Sequence, residues 1–462
     1  MTADAATADA GLTRPQRGFL GHPVGLGYLA FTEAWERFSF YGMQTLLVLY
    51  MVDRLFRPGH VEHVVGFAPL RAMLEWHGPL STQALASQVF GLYAASVYLT
   101  PIAGGIVGDR VLGRTGAITL GAVLMAIGHF LMAFEAAFVG ALLLLILGCG
   151  LVKGNIASQV GRLYSESDPR RSDGFQIFVL SIQIGVIASP LVCGTLGELL
   201  GWHWGFAAAG VGMLIGLLIY LSGRRHLPPE PPRRTDAGPR PRAVLTTRDW
   251  LAILALLSLL PILAVEFIGN NQIFNAYLIW TKDNADLQLL GWRMPVTWLV
   301  SYDAAASGLM LVAVVWFWRV MAKRGFIPHE LTKLAIGGAI SVLGFALLTA
   351  AAFIQASTGA KVALPWLLAF HTINSIGFAN ILPVALALFS RAAPQSVNAT
   401  MIGVFYLLFF AANLMVGWVG GLYELMPHVS FWLLHAGFCA ASTGAIVLLY
   451  RPLRAALDPK PV

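Results

Sequence analysis

The chain has 462 residues, 57% of them hydrophobic and only 11% charged, with a formal net charge of +7. A soluble domain carries about 25% charged residues. This composition, arranged in repeated apolar runs of about 20 residues or more, describes an integral membrane protein and excludes a soluble globular one. The basic excess does not describe a nucleic-acid binder, because Lys and Arg fall mostly in short loops between apolar runs, with no basic helix or stacking platform among them.

The N-terminal stretch from Met1 to Phe19 is polar and carries Arg14 and Arg17. It lacks the apolar core and cleavage site of a signal peptide and reads as a cytoplasmic tail. Twelve spans are predicted after it, at 25–53, 82–107, 115–134, 137–161, 172–200, 203–223, 250–281, 296–322, 331–356, 362–390, 396–422 and 428–450. An even number places both termini on one side. The two tails, the loops on their side and the span ends beside those loops hold 22 of the 30 Lys and Arg residues, so the positive-inside rule makes that side cytoplasmic. The expected organisation is a tail over 1–24, a six-helix bundle over 25–223, a cytoplasmic linker over 224–249, a second six-helix bundle over 250–450 and a tail over 451–462. The linker is set by Pro-Pro-Glu-Pro-Pro-Arg-Arg and Gly-Pro-Arg-Pro-Arg, since proline breaks a helix and the charge keeps the segment out of lipid.

The first span contains Glu33, Glu36 and Arg37, which share one helical face. An ionisable group near a bilayer centre costs about 3 kcal/mol or more, so three together require a bundle interior or watery cavity and partners in each other. The loop after the second span reads Gly104 to Arg114, with Asp109, Arg110 and Arg114 able to pair with helix ends as a gating latch. The fourth span ends in Gly150-Leu151-Val152-Lys153-Gly154-Asn155, where Lys153 is either a snorkelling cation or a cavity lysine. The fifth span opens on a basic cluster and carries Gln183 as a polar point in an apolar run.

Glu33-x-x-Glu36-Arg37-Phe38-x-x-Tyr41-Gly42 resembles the first-helix motif of the proton-dependent oligopeptide transporters, a branch of the major facilitator superfamily. Gly105-x-x-x-Asp109-Arg110-x-x-Gly113-Arg114 resembles the major facilitator loop motif, and Gly150-x-x-Lys153-x-Asn155 resembles the family's cavity-lysine motif. The resemblance implies an all-α fold of twelve transmembrane helices in two six-helix halves, with a site between them near the membrane midplane. It implies import of di- and tripeptides by alternating access in a bacterial inner membrane, with protons as the coupling ion and no other cofactor. It implies no metal and no catalytic residue. Glu33, Glu36 and Arg37 would carry the proton coupling. Tyr41, Tyr98, Lys153, Asn155, Gln183, Asn271 and Gln272 would line the substrate site. The partners expected are a small-molecule substrate and the lipid bilayer, with no nucleic acid, and the protein is expected to act as a monomer.

The second half departs from that pattern. Asn271 stands where the family has a coupling glutamate, and Phe378 stands where it has a glutamate five residues before Pro383. An amide cannot carry a proton at physiological pH, which leaves Glu266, on another helical face, as a candidate to reach the cavity. The alternatives are therefore a non-peptide polar or anionic substrate held by Lys153, and a non-transporting membrane sensor or complex subunit. His129, His371 and His435 stand alone in apolar runs and read as packed or interhelical hydrogen-bonding side chains, not as ligands. Cys149, Cys193 and Cys439 have no metal-ligand spacing and read as small core residues. His60, His63 and His77 read as part of a solvated loop.

Overall fold

The computed structural model describes residues 18–165, 167–230, 245–289 and 291–458. Most of the predicted linker and both chain ends lie outside the described residues. Helix α1 spans Val24–Tyr50 and continues through a π-helical turn to Leu55. Then come α2 (Phe67–Leu74), α3 (Thr82–Val107), α4 (Gly113–Leu131), α5 (Phe138–Lys153), α6 (Ile156–Gly161), α7 (Arg171–Ser189) and α8 (Trp202–Gly223). After the linker come α9 (Thr247–Asn271), α10 (Ala276–Asn284), α11 (Trp298–Lys323), α12 (Glu330–Thr358), α13 (Leu364–Ala392), α14 (Asn398–Gly420), α15 (His428–Leu448) and α16 (Tyr450–Leu457). Four two-residue strands, β1 (Ala285–Asp286), β2 (Gln288–Leu289), β3 (Trp292–Arg293) and β4 (Val362–Ala363), tie loops together as β1 with β4, parallel, and β2 with β3, antiparallel.

Among the described residues, ten helical stretches are long and apolar enough to cross a membrane. One of them, Thr82–Leu131, holds both α3 and α4. Helix α1 is equally long, but Glu33, Glu36 and Arg37 dilute its apolar run. Leu143, Leu147, Leu218, Val312 and Trp316 stay exposed on the outside, as lipid-facing side chains do in a multi-pass membrane protein.

Two predicted spans are broken in the structure. The fourth divides at Gly154 and Asn155 into α5 and α6. The Asn155 side-chain amide replaces lost backbone bonds there, donating to Leu151 O at 2.9 Å and to Gly104 O of α3 at 3.0 Å. The seventh divides into α9 and α10 through a 3-10 turn over Gln272–Phe274. Helix α9 begins on a full capping box, Thr246 with Asp249, which ends the linker sharply.

The helices before the linker pack on one another through α1 with α7 and α8, and through α4 with α5 and α8. Those after it pack through α12 with α13 and α15, α11 with α13, and α9 with α14. The two groups meet along α3 against α14 and α7 against α11. Glycine makes the first seam possible: a methyl group on Gly91 would lie 2.6 Å from the Cα of Gly417. Such close backbone approach is how transmembrane helices associate without a hydrophobic driving force.

Candidate functional site

Helix α1 holds its charges by local geometry. Arg37 Nη2 contacts Glu33 Oε1 at 2.7 Å, and Arg37 Nε lies 3.1 Å from Glu36 Oε2. Both carboxylates are buried, at 1% and 0% exposure. The guanidinium is thus the shared partner of two acids one turn apart. Lys153 enters from the end of α5. Its Nζ lies 4.0 Å from the centre of the Phe40 ring and 5.6 Å from that of Tyr98, and among the described residues it forms no ion pair. The group therefore holds two carboxylates and two cations, and the ammonium is kept in place by aromatic faces.

Beside it, between the two groups of helices, lies a cavity of about 230 Å³, smaller than the roughly 300–1,000 Å³ of common small-molecule sites. Its polar wall comes from Tyr41 and Gln44 of α1, Tyr98 of α3, Gln183 of α7, Asn270 and Asn271 of α9, Asp303 and Ser307 of α11, and Asn413 of α14. Phe274, Phe378 and Phe409 supply apolar surface. Tyr98 and Phe409 stack across the halves, with ring centres 5.0 Å apart.

Of the residues singled out in the sequence, Tyr41, Tyr98, Gln183 and Asn271 line this cavity, and Lys153 reaches its Tyr98 edge. Two do not line it. Asn155 is 1% exposed, with its amide spent on the α5–α6 break. Gln272 is fully buried in the 3-10 turn, its Oε1 3.4 Å from Asn275 Nδ2. Glu266 also faces away. It is buried beside Gly338 on α12, with both oxygens lacking a hydrogen-bond partner. The cavity's acid is instead Asp303. Its signal was present in the sequence, as a lone carboxylate within an apolar span.

His371 forms hydrogen bonds between helices, as one of the two readings allowed. Its Nδ1 lies 2.8 Å from Asp303 Oδ1, and its Nε2 lies 2.8 Å from the Tyr277 hydroxyl. His435 and His129 are enclosed in apolar surroundings, His435 with Nδ1 2.8 Å from Phe431 O. His60 is tied to Glu135 at 2.9 Å, so that part of the loop is structured. In the loop after α3, Asp109 and Arg114 pair with each other at 3.1 Å, not with a helix end. Glu230 accepts from Thr115 N at 2.7 Å and holds the loop against the stretch after α8.

Among the described residues, every hydrogen bond and ion pair between the two groups of helices falls toward the end of the bundle opposite the termini. Lys282 Nζ reaches Asp53 at 2.5 Å. Glu198 accepts from Val296 N and Thr297 N at 2.9 and 3.0 Å. Trp298 Nε1 donates to Thr195 at 2.8 Å, and Ser301 donates to Ile187 O at 2.7 Å. Ser87 donates to Asn275 at 3.0 Å, and Gln83 donates to Gly420 O at 3.0 Å. That end is closed, whereas the cavity lies on the side where such ties are missing among the described residues.

The chain is similar to known proteins in sequence and in fold. Residues 115–254 match a family model described as the POT family. The chain is 27% identical to the uncharacterized transporter YclF of Bacillus subtilis (strain 168), over 95% of this chain and 96% of that one. It is 28% identical to the peptide transporter YePEPT of Yersinia enterocolitica subsp. palearctica serotype O:3 (strain YE-P4), over 88% of this chain and 89% of that one. A crystal structure of a peptide transporter POT in complex with sulfate superposes with a TM-score of 0.82 at 24% identity, covering 96% of this chain and 98% of the other.

Proposed function

We propose that this chain, which belongs to the POT family of major facilitator transporters, imports di- and tripeptides together with protons. The observation that carries the reading is the buried set of Glu33, Glu36, Arg37 and Lys153 beside a polar cavity between the halves. Its two carboxylates and two cations balance, which suits a site out of bulk water, where net charge is expensive. A peptide is a zwitterion, so its carboxylate drawn to Lys153 adds one negative charge to this group alone, while its ammonium lies farther along the cavity. One proton on Glu33 or Glu36 restores neutrality. Substrate and proton therefore favour each other's binding, the thermodynamic requirement of symport. The amide oxygens of Gln183, Asn270, Asn271 and Asn413 offer acceptors to the peptide's N–H groups and ammonium.

In this reading the end closed by Asp53–Lys282 and Glu198 faces the outside, both termini face the cytoplasm, and the cavity exchanges with the cytoplasmic side. The halves are the bundles over 25–223 and 250–450, joined by the linker over 224–249, and one chain is the transporting unit. Asp109, Arg110 and Arg114 form the cytoplasmic gating loop. Dialanine uptake into liposomes holding the purified protein tests the reading. Accumulation is expected with an inward proton gradient and a negative interior, and exchange alone without them. Failure to bind or move dialanine while a small organic anion is accumulated would replace the peptide by a non-peptide anion at Lys153.

A further inference from the structure

The α10, α11 and α13 helices bring together three side chains far apart in sequence. Asp303 has its side chain 16% exposed and lines the cavity, while the His371 ring behind it is fully buried. His371 Nδ1 lies 2.8 Å from Asp303 Oδ1, and its Nε2 lies 2.8 Å from Tyr277 Oη. A carboxylate only accepts, so Nδ1 carries a hydrogen and Nε2 accepts from the tyrosine hydroxyl. One turn beyond Tyr277, the Thr281 hydroxyl is fully buried with no hydrogen-bond partner. Buried hydroxyls are seldom left so.

We propose that Asp303, His371 and Tyr277 form a second proton-binding site that sets the charge Asp303 presents to the cavity. When a proton is added, Nε2 becomes a donor to Tyr277, and the tyrosine O–H turns to Thr281 Oγ1, the acceptor left free for it. Asp303, His371 and Tyr277 stay hydrogen-bonded in both states, Thr281 gains a partner in the second, and the Asp303–His371 pair changes from one negative charge to none. Drying a cavity around an unneutralised carboxylate is costly. Proton uptake here lowers the cost of closing the cavity around substrate. The site lies just inward of the closed end, where Lys282 follows Thr281 on α10 and Thr297 precedes α11. It supplies in the second half the protonatable group that Asn271 does not.

The other groups facing the site are few. Tyr302 of α11 lies 6.2 Å from the His371 ring, and Tyr41 of α1 faces across the cavity. His435 of α15 stands behind Trp432, whose ring lies 6.2 Å from that of Tyr277. From α5, Lys153 lies at the Tyr98 edge of the cavity, and from α1 the Glu33–Glu36–Arg37 group lies beside it. The inference deepens the transport reading and depends on it only for the transport arm of its test.

That test has two arms. In the first, gradient-driven dialanine accumulation and dialanine exchange are measured for the wild type, Asp303→Asn and His371→Gln. Asn at 303 keeps an acceptor for His371 Nδ1–H, so the fold is retained. Accumulation is expected to fall by about tenfold or more in both variants while exchange persists. Accumulation equal to wild type in both overturns the proposal. So does loss of exchange in Asp303→Asn, which would make that carboxylate a substrate anchor. In the second arm, 15N-histidine spectra of the full chain in detergent follow His371, identified by its loss in His371→Gln. The signal is expected to move when pH is changed and to shift when Asp303 becomes Asn. A signal that pH leaves unchanged overturns the proposal. Should the wild type not move dialanine at all, the peptide reading falls, and the spectra alone decide the second site.

Discussion

In the first half of the bundle, buried charge is neutralised within a single helix, where Arg37 of α1 reaches Glu33 at 2.7 Å and Glu36 at 3.1 Å. In the second half the corresponding contact spans three helices, Asp303 to His371 to Tyr277, each step 2.8 Å long. Both arrangements keep a carboxylate beside the same cavity, and neither leaves it without a partner. The difference lies in how the partner is supplied. A guanidinium one turn away is always present, so the α1 group persists whatever the rest of the bundle does. The histidine contact exists only while α10, α11 and α13 are packed together, so it reports on their arrangement. The first is a constant charge store, and the second is a group whose partner depends on conformation.

The comparison is broken most severely at α1. Glu33→Gln combined with Glu36→Gln is expected to lower gradient-driven dialanine accumulation on the order of 100-fold, with exchange retained. Paired accumulation and counterflow assays in liposomes check this. Unchanged accumulation would place the coupling wholly in the second half. Lys153→Ala removes one charge-assisted contact, worth about 1.5–3 kcal/mol. The dialanine concentration for half-maximal exchange is then expected to rise by about 10- to 100-fold, and unchanged affinity would remove the lysine from the site.

A smaller effect is expected at the seam between the halves. Gly91→Leu drives a side chain into Gly417 and Asn413, and overpacking of this kind costs about 1–3 kcal/mol. A lower melting temperature and faster labelling of a cysteine placed at Ser87 are the readouts, because the closed end can no longer seat. The smallest effect is expected at the other end, far from either charge group. Asp458 accepts from His329 at 2.9 Å and pairs with Arg454 at 3.2 Å. Burial works to raise its carboxyl, but the bonds from His329 and Arg454 outweigh it and hold the group below its usual 3.8. A lowered value in the folded state means stability that is present above the unfolded value and lost as pH falls through the folded one. The melting-temperature difference between the wild type and Asp458→Asn is therefore expected to shrink as pH falls below about 4.

Much of the fold was legible because membrane insertion writes itself locally. Spans follow from apolar length, and the α1 charge group follows from the 3.6-residue turn, since Glu33, Glu36 and Arg37 needed nothing beyond their own helix to meet. The α1 motif and the loop after α3 carried the family resemblance for the same reason, being short and contiguous. Lys153 showed itself as a cation in an apolar run, although the rings of Phe40 and Tyr98 that flank it come from two other helices.

What sequence could not decide was which polar residues share a wall. Asn155 and Gln272 look as eligible as Gln183 and Asn271, but the Asn155 amide is spent on the α5–α6 break and Gln272 is buried in the turn between α9 and α10. Glu266 is turned by its position on α9 toward α12, and Phe409 is the aromatic of α14 that reaches Tyr98. Asp303 and His371 are 68 residues apart, and only the packing of α11 on α13 closes that separation to 2.8 Å. Local periodicity thus determined the spans and the charges of α1. Tertiary packing alone decided the cavity wall, the closed end and the aspartate–histidine contact, because hydrogen bonds across helices depend on crossing and depth, which no single helix encodes.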